Sequence, residues 1–162
     1  MRKSSGQRTA DSGQNIRRRG FTLVELLVVI AIIGILMGLV TAGAQTARRR
    51  GAMTKAKATI ASMDTAIAMY QGDMGAYPES ENANLVAALF EETDDPHWQG
   101  PYMEFKQEEL KDGEALDPWG RPYVYVSVNG GSPTHRTRSY DLHSLGPNGK
   151  DEDGAGDDVP NW

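Results

Sequence analysis

Acidic side chains are concentrated near the carboxyl end of the chain, where five of them fall within residues 151–158. Several glycines within and beside this stretch give its backbone freedom to turn. Hard cations such as Ca²⁺ bind carboxylate, amide and carbonyl oxygens. A loop that gathers Asn148, Asp157 and Asp158 would therefore suit a calcium ion, although its spacing is not that of an EF-hand. The alternative is a solvated acidic tail.

A second candidate is a single carboxylate beside a long apolar stretch. Residues 26–40 contain no polar side chain, and Glu25 directly precedes them. An ionised group at bilayer depth is costly and needs a partner, yet no Lys, Arg or His lies between Phe21 and Ala47. A free α-amino group on Phe21 of a neighbouring chain would supply the missing charge. The alternative is a glutamate tolerated near the membrane interface.

A catalytic arrangement is the third possibility, because His135 and His143 flank Asp141, with Ser144 adjacent. In a strand, positions 141 and 143 point to one face and position 144 to the other. The surrounding sequence has no nucleophile-elbow pattern, and a chain without cysteine has no thiol nucleophile. We therefore expect ordinary hairpin side chains and a protein that is not an enzyme.

The apolar stretch is long enough to be a membrane helix. Residues 21–44 form about 36 Å of helix at ~1.5 Å per residue, against a hydrocarbon core of roughly 30 Å. Three arginines at 17–19 precede it, which predicts a cytoplasmic amino terminus and an external body. Residues 1–20 have a formal charge of +5, whereas residues 21–162 have −10. The overall charge of −5 argues against nucleic-acid binding.

The same helix is predicted to continue beyond the membrane segment. No proline lies between Phe21 and Tyr77, and apolar residues after Arg50 recur at alternating steps of three and four. They are Met53, Ala56, Ile60, Met63, Ile67, Tyr70 and Met74. This pattern predicts one near-continuous helix from about Thr22 to Met74, which Gly75 and Pro78 end.

The rest of the chain predicts a small α+β domain. A short helix over 84–91 has Leu85, Val86 and Leu89 on its inner side, and the segment 94–117 is expected to be loop-like. Pro second and Gly fourth in residues 117–120 are typical of a type I turn. Alternating β-branched and aromatic residues predict antiparallel strands at 123–128 and 138–145, with a third, short strand that includes Val159.

At the amino-terminal end, Gly20-Phe21-Thr22-Leu23-Val24-Glu25 after a basic leader resembles the class III prepilin signature of type IV pilins and type II secretion pseudopilins. The resemblance implies that a prepilin peptidase cleaves between Gly20 and Phe21 and methylates Phe21, and that Glu25 pairs with a neighbour's terminal amine during assembly. It divides the chain into a cleaved leader (1–20), a transmembrane and assembly helix (21–44) and a globular domain (45–162). Within that domain the helix runs to about 74, a variable loop covers 75–116, and a hairpin with the acidic loop covers 117–162.

Four further motifs are similar to those of major pseudopilins of type II secretion: Gly75-x-Tyr77-Pro78, Asp117-Pro118-Trp119-Gly120, Ser144-Leu145-Gly146-Pro147-x-Gly149 and Asp157-Asp158-x-x-Asn161-Trp162. The resemblance covers most of residues 17–162 and is weakest over 79–116. It implies a type IV pilin-like α+β fold, a long helix packed on a small antiparallel sheet with a metal-binding loop.

In function, the resemblance implies a single-pass inner-membrane protein that polymerises into a periplasmic pseudopilus and drives export of folded proteins. The implied partners are further copies of the chain, minor pseudopilins, the prepilin peptidase and the inner-membrane assembly platform. The alternative is a type IV pilin for adhesion, motility or DNA uptake. A disulfide-closed variable region would indicate that alternative, and this chain has no cysteine.

The same resemblance implies one Ca²⁺ in the acidic loop. The ligands carried over by motif are the carbonyls of Leu145 and Lys150, the side chain of Asn148, and the carboxylates of Asp157 and Asp158. The family commonly has Asp where Asn148 stands, so we expect weaker binding from the loss of one negative charge. The loop is also longer than in some members, which leaves Asp151 and Asp153 as alternative ligands.

Overall fold

One helix dominates the secondary structure. A computed structural model of the chain describes residues 20–162, apart from the side chains of residues 39–43. The helix α1 spans Leu23–Met74, which confirms the predicted bounds. The chain divides into two compact units, one ending at Gly43 and the other comprising Ala44–Trp162. The predicted leader over 1–19 lies outside the described residues.

The apolar side chains at the start of α1 are exposed in the isolated chain. Leu23 is 79% exposed, and even Val29, the least exposed of the large apolar side chains here, is 44% exposed. Within the described part of the chain, no helical segment meets the length and apolarity that crossing a membrane requires. The predicted transmembrane segment 21–44 includes side chains outside that part, and it stays a prediction.

The later half of α1 supplies one wall of the core. Its fully buried residues recur at helical spacing: Ala56, Ile60, Met63, Ala66 and Ile67. Met53 and Tyr70 pack against the same core while remaining partly exposed. The predicted stripe is therefore confirmed at Met53, Ala56, Ile60, Met63, Ile67 and Tyr70. The buried Ala66 was not part of that prediction. The helix ends where Gly75, at a φ of +73°, donates its N–H to the carbonyl of Gln71 (2.9 Å).

The opposite wall is a three-stranded antiparallel sheet. Its strands, in order across the sheet, are β3 (Val124–Ser127), β4 (Tyr140–Ser144) and β5 (Val159–Pro160), which confirms all three predicted strands. In register, Val124 faces His143, and Ser144 faces Val159. Every residue of β4 is buried.

A short helix closes the core between α1 and the sheet. This helix, α2, spans Asn82–Phe90, and Leu85, Val86 and Leu89 are buried as predicted. The buried Asn82 side chain bridges two backbone segments: it donates to the carbonyls of Ala115 (2.9 Å) and Tyr123 (2.8 Å) and accepts from the N–H of Ala115 (2.9 Å).

The prediction of a loop-like segment over 94–117 is wrong in its second half. A 3₁₀ turn at Gln107–Glu109 leads into a small hairpin, β1 (Leu110–Lys111) and β2 (Glu114–Ala115). Asp112 and Gly113, at φ values of 54° and 85°, form its two-residue connection. An Asp-Gly pair is the usual choice for a turn in which both central residues need a positive φ, and this explains the hairpin.

Candidate functional site

Glu25 forms a capping box with Thr22 at the start of α1. The Glu25 carboxylate accepts hydrogen bonds from the backbone N–H and from the hydroxyl of Thr22, both at 2.9 Å. In return, the N–H of Glu25 donates to the Thr22 hydroxyl oxygen (3.2 Å). These reciprocal bonds satisfy amides that the first turn of a helix leaves unpaired. The structure therefore holds the carboxylate at the helix start, four residues from Phe21.

The acidic loop comprises residues 145–158, between β4 and β5, and the end of β4 from which it departs is hydrogen-bonded to the 117–120 turn. The N–H of Gly120 donates to the Asp117 carbonyl (2.9 Å), which closes the predicted turn. The buried Asp117 carboxylate accepts from the N–H groups of Trp119 (2.9 Å) and Arg121 (3.0 Å) through one oxygen. Its other oxygen accepts from the Ser144 hydroxyl (2.6 Å). The turn thus fixes the end of β4 from which the loop departs.

Gly146, the second residue after β4, must be glycine for two reasons. Its φ of +60° lies in the left-handed region, and a Cβ there would overlap the backbone carbonyl of Asp157. The two ends of the acidic loop therefore approach each other at van der Waals distance. The N–H of Gly146 also donates to the Ser144 hydroxyl oxygen (3.1 Å), which extends the hydrogen-bond chain from Asp117.

Two of the predicted calcium ligands meet at the mouth of this loop. The backbone N–H of Asn148 donates to the Asp157 carboxylate (3.0 Å), and the Asn148 side-chain amide contacts the other Asp157 oxygen. The side-chain amide oxygen (Oδ1) of Asn148 accepts a hydrogen bond from the backbone N–H of Lys150 (2.6 Å). The Leu145 carbonyl accepts from the N–H of Gly149 (3.2 Å). These oxygen donors have the chemistry that a hard cation requires.

Asp158 and the alternative ligands Asp151 and Asp153 make other contacts, separate from the contact between Asn148 and Asp157. One oxygen of the buried Asp158 accepts from the N–H groups of Glu152 (2.9 Å) and Gly154 (3.1 Å). The alternative ligand Asp151 lies beside His143 (3.4 Å between Oδ1 and Nε2). The second alternative, Asp153, instead contacts His135 (3.0 Å between Oδ1 and Nε2).

Two residues of the site were not assigned to it from the sequence. Glu152 accepts hydrogen bonds from the Asn148 amide (3.2 Å) and the Asp157 N–H (3.3 Å), so it supports the loop mouth. His143 groups with Asp151 and Asp158, with one potential ligand atom from each within 4.8 Å of the others, and this cluster could hold a metal ion. The third predicted strand could have placed His143 in the site. When that strand pairs with β4, His143 lies opposite Pro160, which is two residues after Asp158 in the chain.

Ser144 and Asp141, two residues of the possible catalytic arrangement, make structural hydrogen bonds. The Ser144 hydroxyl donates to Asp117, and the Asp141 carboxylate accepts from the N–H groups of Thr134, His135 and Arg136 at 2.6–2.9 Å. Burial raises the pKa of Asp141, but these three donors outweigh it and hold that pKa below its ordinary value. Asp141 therefore organises the loop that follows β3.

The fold and the amino-terminal motif together define a protein of the pilin-like class. The prokaryotic N-terminal methylation motif matches residues 15–41. The profile of the type II secretion system (T2SS) protein G family matches residues 44–162. The chain belongs to the type II secretion system protein G family, and this confirms the resemblance read from its motifs.

Two relatives, identified by sequence, agree with this assignment. The chain is 35% identical over 157 residues to the type II secretion system core protein G of Pseudomonas aeruginosa, which covers 92% of this chain and 98% of the relative. It is 36% identical over 146 residues to the Escherichia coli K12 protein of the same name, which covers 90% and 92%. A crystal structure of the major pseudopilin from the type 2 secretion system of enterohaemorrhagic E. coli aligns with a TM-score of 0.46 and 23% identity, over 73% of this chain and 92% of that one.

Proposed function

We propose that this chain is the structural subunit of a periplasmic pseudopilus, whose growth from the inner membrane drives export of folded proteins through a type II secretion system. The observation that carries the proposal is the helix segment over 23–38, whose large apolar side chains are exposed in the isolated chain. Such a surface is stable only in lipid or against other apolar helices. A helix that passes from a membrane into a bundle of identical helices meets both conditions.

The amino-terminal motif supplies the route into this assembly. We infer that the prepilin peptidase cuts between Gly20 and Phe21 and that Phe21 then carries the new, methylated terminal amine. The match of the methylation motif to residues 15–41 supports this step. Glu25 pairs with that amine on a neighbouring subunit, exchanging its capping contacts with Thr22 for an intermolecular ion pair.

The acidic loop is the proposed calcium site. Asp157 and Asn148 already contact each other there. The buried Asp158 has one oxygen, Oδ1, without a hydrogen-bond partner among the described residues, and this oxygen is available to bind a cation. When bound, the cation neutralises mutual repulsion among the loop carboxylates. The full proposed ligand set is the carbonyls of Leu145 and Lys150, the Asn148 side chain, Asp157 and Asp158, with Asp151 and Asp153 as alternatives.

The proposed partners follow from the assembly. They are further copies of the chain, minor pseudopilins, the prepilin peptidase and the inner-membrane platform that adds subunits. The subunit crosses the inner membrane once, with the unit from Ala44 to Trp162 in the periplasm. No observation favours the surface-pilus alternative over this assignment.

The test is export in a host strain from which the chromosomal gene has been deleted. The intact gene restores release of a folded exoprotein to the medium, whereas Gly20→Ala, which blocks leader removal, does not. Mass spectrometry of the accumulated protein gives the control: the functional subunit begins at methylated Phe21, and the variant retains its leader. Normal export by the uncleaved variant would contradict the proposal.

A further inference from the structure

His143 is a buried side chain whose two ring nitrogens have no hydrogen-bond partner among residues 20–162. Only 6% of the residue is exposed. Its Nε2 lies 3.4 Å from Asp151 Oδ1 without the geometry of a hydrogen bond. Leaving a buried polar group unpaired destabilises a fold. The unpaired imidazole of His143 therefore has a nitrogen lone pair available to bind a ligand.

Asp158 belongs to the same cluster and also has an unpaired oxygen. The residue is 8% exposed, and its Oδ1 has no hydrogen-bond partner among residues 20–162. The other carboxylate oxygen is fixed by the N–H groups of Glu152 and Gly154. Such outer contacts orient a metal-ligating carboxylate. Potential ligand atoms of His143, Asp151 and Asp158 all lie within 4.8 Å of one another.

The geometry points to a second cation: we propose that His143, Asp151 and Asp158 bind a borderline divalent metal of the Zn²⁺ class. Ca²⁺ takes oxygen ligands, whereas an imidazole nitrogen with two carboxylates suits Zn²⁺ and its neighbours. Two donors on a tetrahedral ion at ~2.0–2.1 Å lie about 3.3–3.4 Å apart. The Nε2–Oδ1 separation of 3.4 Å between His143 and Asp151 matches that spacing.

Access for the ion and for a water ligand comes from a cavity of about 140 Å³, lined in part by His143 and Asp151. Trp162 covers this cavity: its ring lies edge-on to His143 (5.6 Å between centroids) and stacks on His135 (4.1 Å). The bound ion would tie β4 to the acidic loop and β5. The site shares Asp158, and the alternative ligand Asp151, with the proposed calcium site, so the two ions compete for this place and His143 is the residue that distinguishes them.

The test uses Co²⁺ as a coloured substitute for Zn²⁺ on untagged, full-length protein in detergent. We expect wild-type protein to bind one Co²⁺ with increased visible absorption, to lose that absorption when Zn²⁺ is added, and to show a change in total tryptophan fluorescence when the metal binds. His143→Gln and Asp151→Asn should each weaken binding by at least about tenfold, because each removes a ligand. His97→Gln is the matched control, since His97 is exposed and its ring contacts Asp95, which is not part of the cluster.

The variants also separate this proposal from the calcium proposal. Asp151 is exposed, so Asp151→Asn keeps the fold even where His143→Gln lowers the melting temperature. Weaker Co²⁺ binding by both His143→Gln and Asp151→Asn, with the affinities of His97→Gln and Asp157→Asn unchanged, supports the site. Unchanged Co²⁺ affinity in both His143→Gln and Asp151→Asn, or no Co²⁺ binding by the wild type, overturns it. Asp157→Asn should retain Co²⁺ binding, so failure of the calcium site would leave this result intact.

Discussion

Replacing Asp117 with alanine should loosen the acidic loop from a distance. The substitution removes three hydrogen bonds to a buried carboxylate, from Trp119, Arg121 and Ser144 at 2.6–3.0 Å. Hydrogen bonds to charged groups are worth about 1.5–3 kcal/mol each. Because the two backbone donors are only half-buried and regain water, we expect a loss of about 3–5 kcal/mol in the free energy of unfolding rather than the full sum.

Thermal unfolding followed by circular dichroism measures this loss. For a unit of this size it corresponds to a fall in melting temperature of roughly 10–20 °C. Ser144→Ala removes one of the three bonds and should fall between Asp117→Ala and the wild type. Asp94→Ala, at an exposed acid of a distant loop, is the control and should change little. A fall of less than about 3 °C for Asp117→Ala would refute the role assigned to this turn.

Three further predictions concern other buried groups and the loop. Asn82→Ala should cost about 2–4 kcal/mol in denaturant unfolding because three buried hydrogen bonds are lost, whereas the exposed Asn84→Ala should cost less than about 1. Because the pKa of Asp141 is lowered, its stabilisation is present above about pH 4 and lost as pH falls through the lowered value; Asp141→Asn should therefore flatten the acid limb of a melting-temperature profile. Titration calorimetry should detect Ca²⁺ binding to wild-type protein, with a raised melting temperature that a chelator reverses. Asp157→Asn should show neither effect, and an equal response from both proteins would remove Asp157 from the site.

The long helix and the sheet could be predicted because their signals are local and repeated. The apolar stripe from Ala56 to Ile67 follows the helical period over several turns, and β3 alternates over its whole length. The hairpin of β1 and β2 was missed because two-residue strands are too short for any period to register. Its turn residues, Asp112 and Gly113, carried the signal alone.

The sequence predicted most of the residues that form the site, but it predicted less well which of them lie close together. The acidic residues and Asn148 were identified from oxygen chemistry and resemblance, and Asp157 does meet Asn148. Sequence reasoning treated His143 as an ordinary hairpin residue, because its neighbours depend on the register between β4 and β5. Thr22 and Glu25 have the spacing of a capping box, a local signal that was overlooked beside the apolar stretch.

Glu25 has two roles to separate, the cap seen within one chain and the proposed charge pair between chains. Glu25→Gln keeps a capping-box residue and loses the charge. Thr22→Ala keeps the charge and loses the cap, at a cost of about 1 kcal/mol. Both variants should be inserted in the membrane and cleaved after Gly20, which mass spectrometry verifies.

The most direct measurement is the yield of cross-linked filaments from cells that express each variant at equal levels. The charge-pairing account predicts a fall of about tenfold or more for Glu25→Gln, and near wild-type yield for Thr22→Ala. Wild-type filament yield from Glu25→Gln would contradict it.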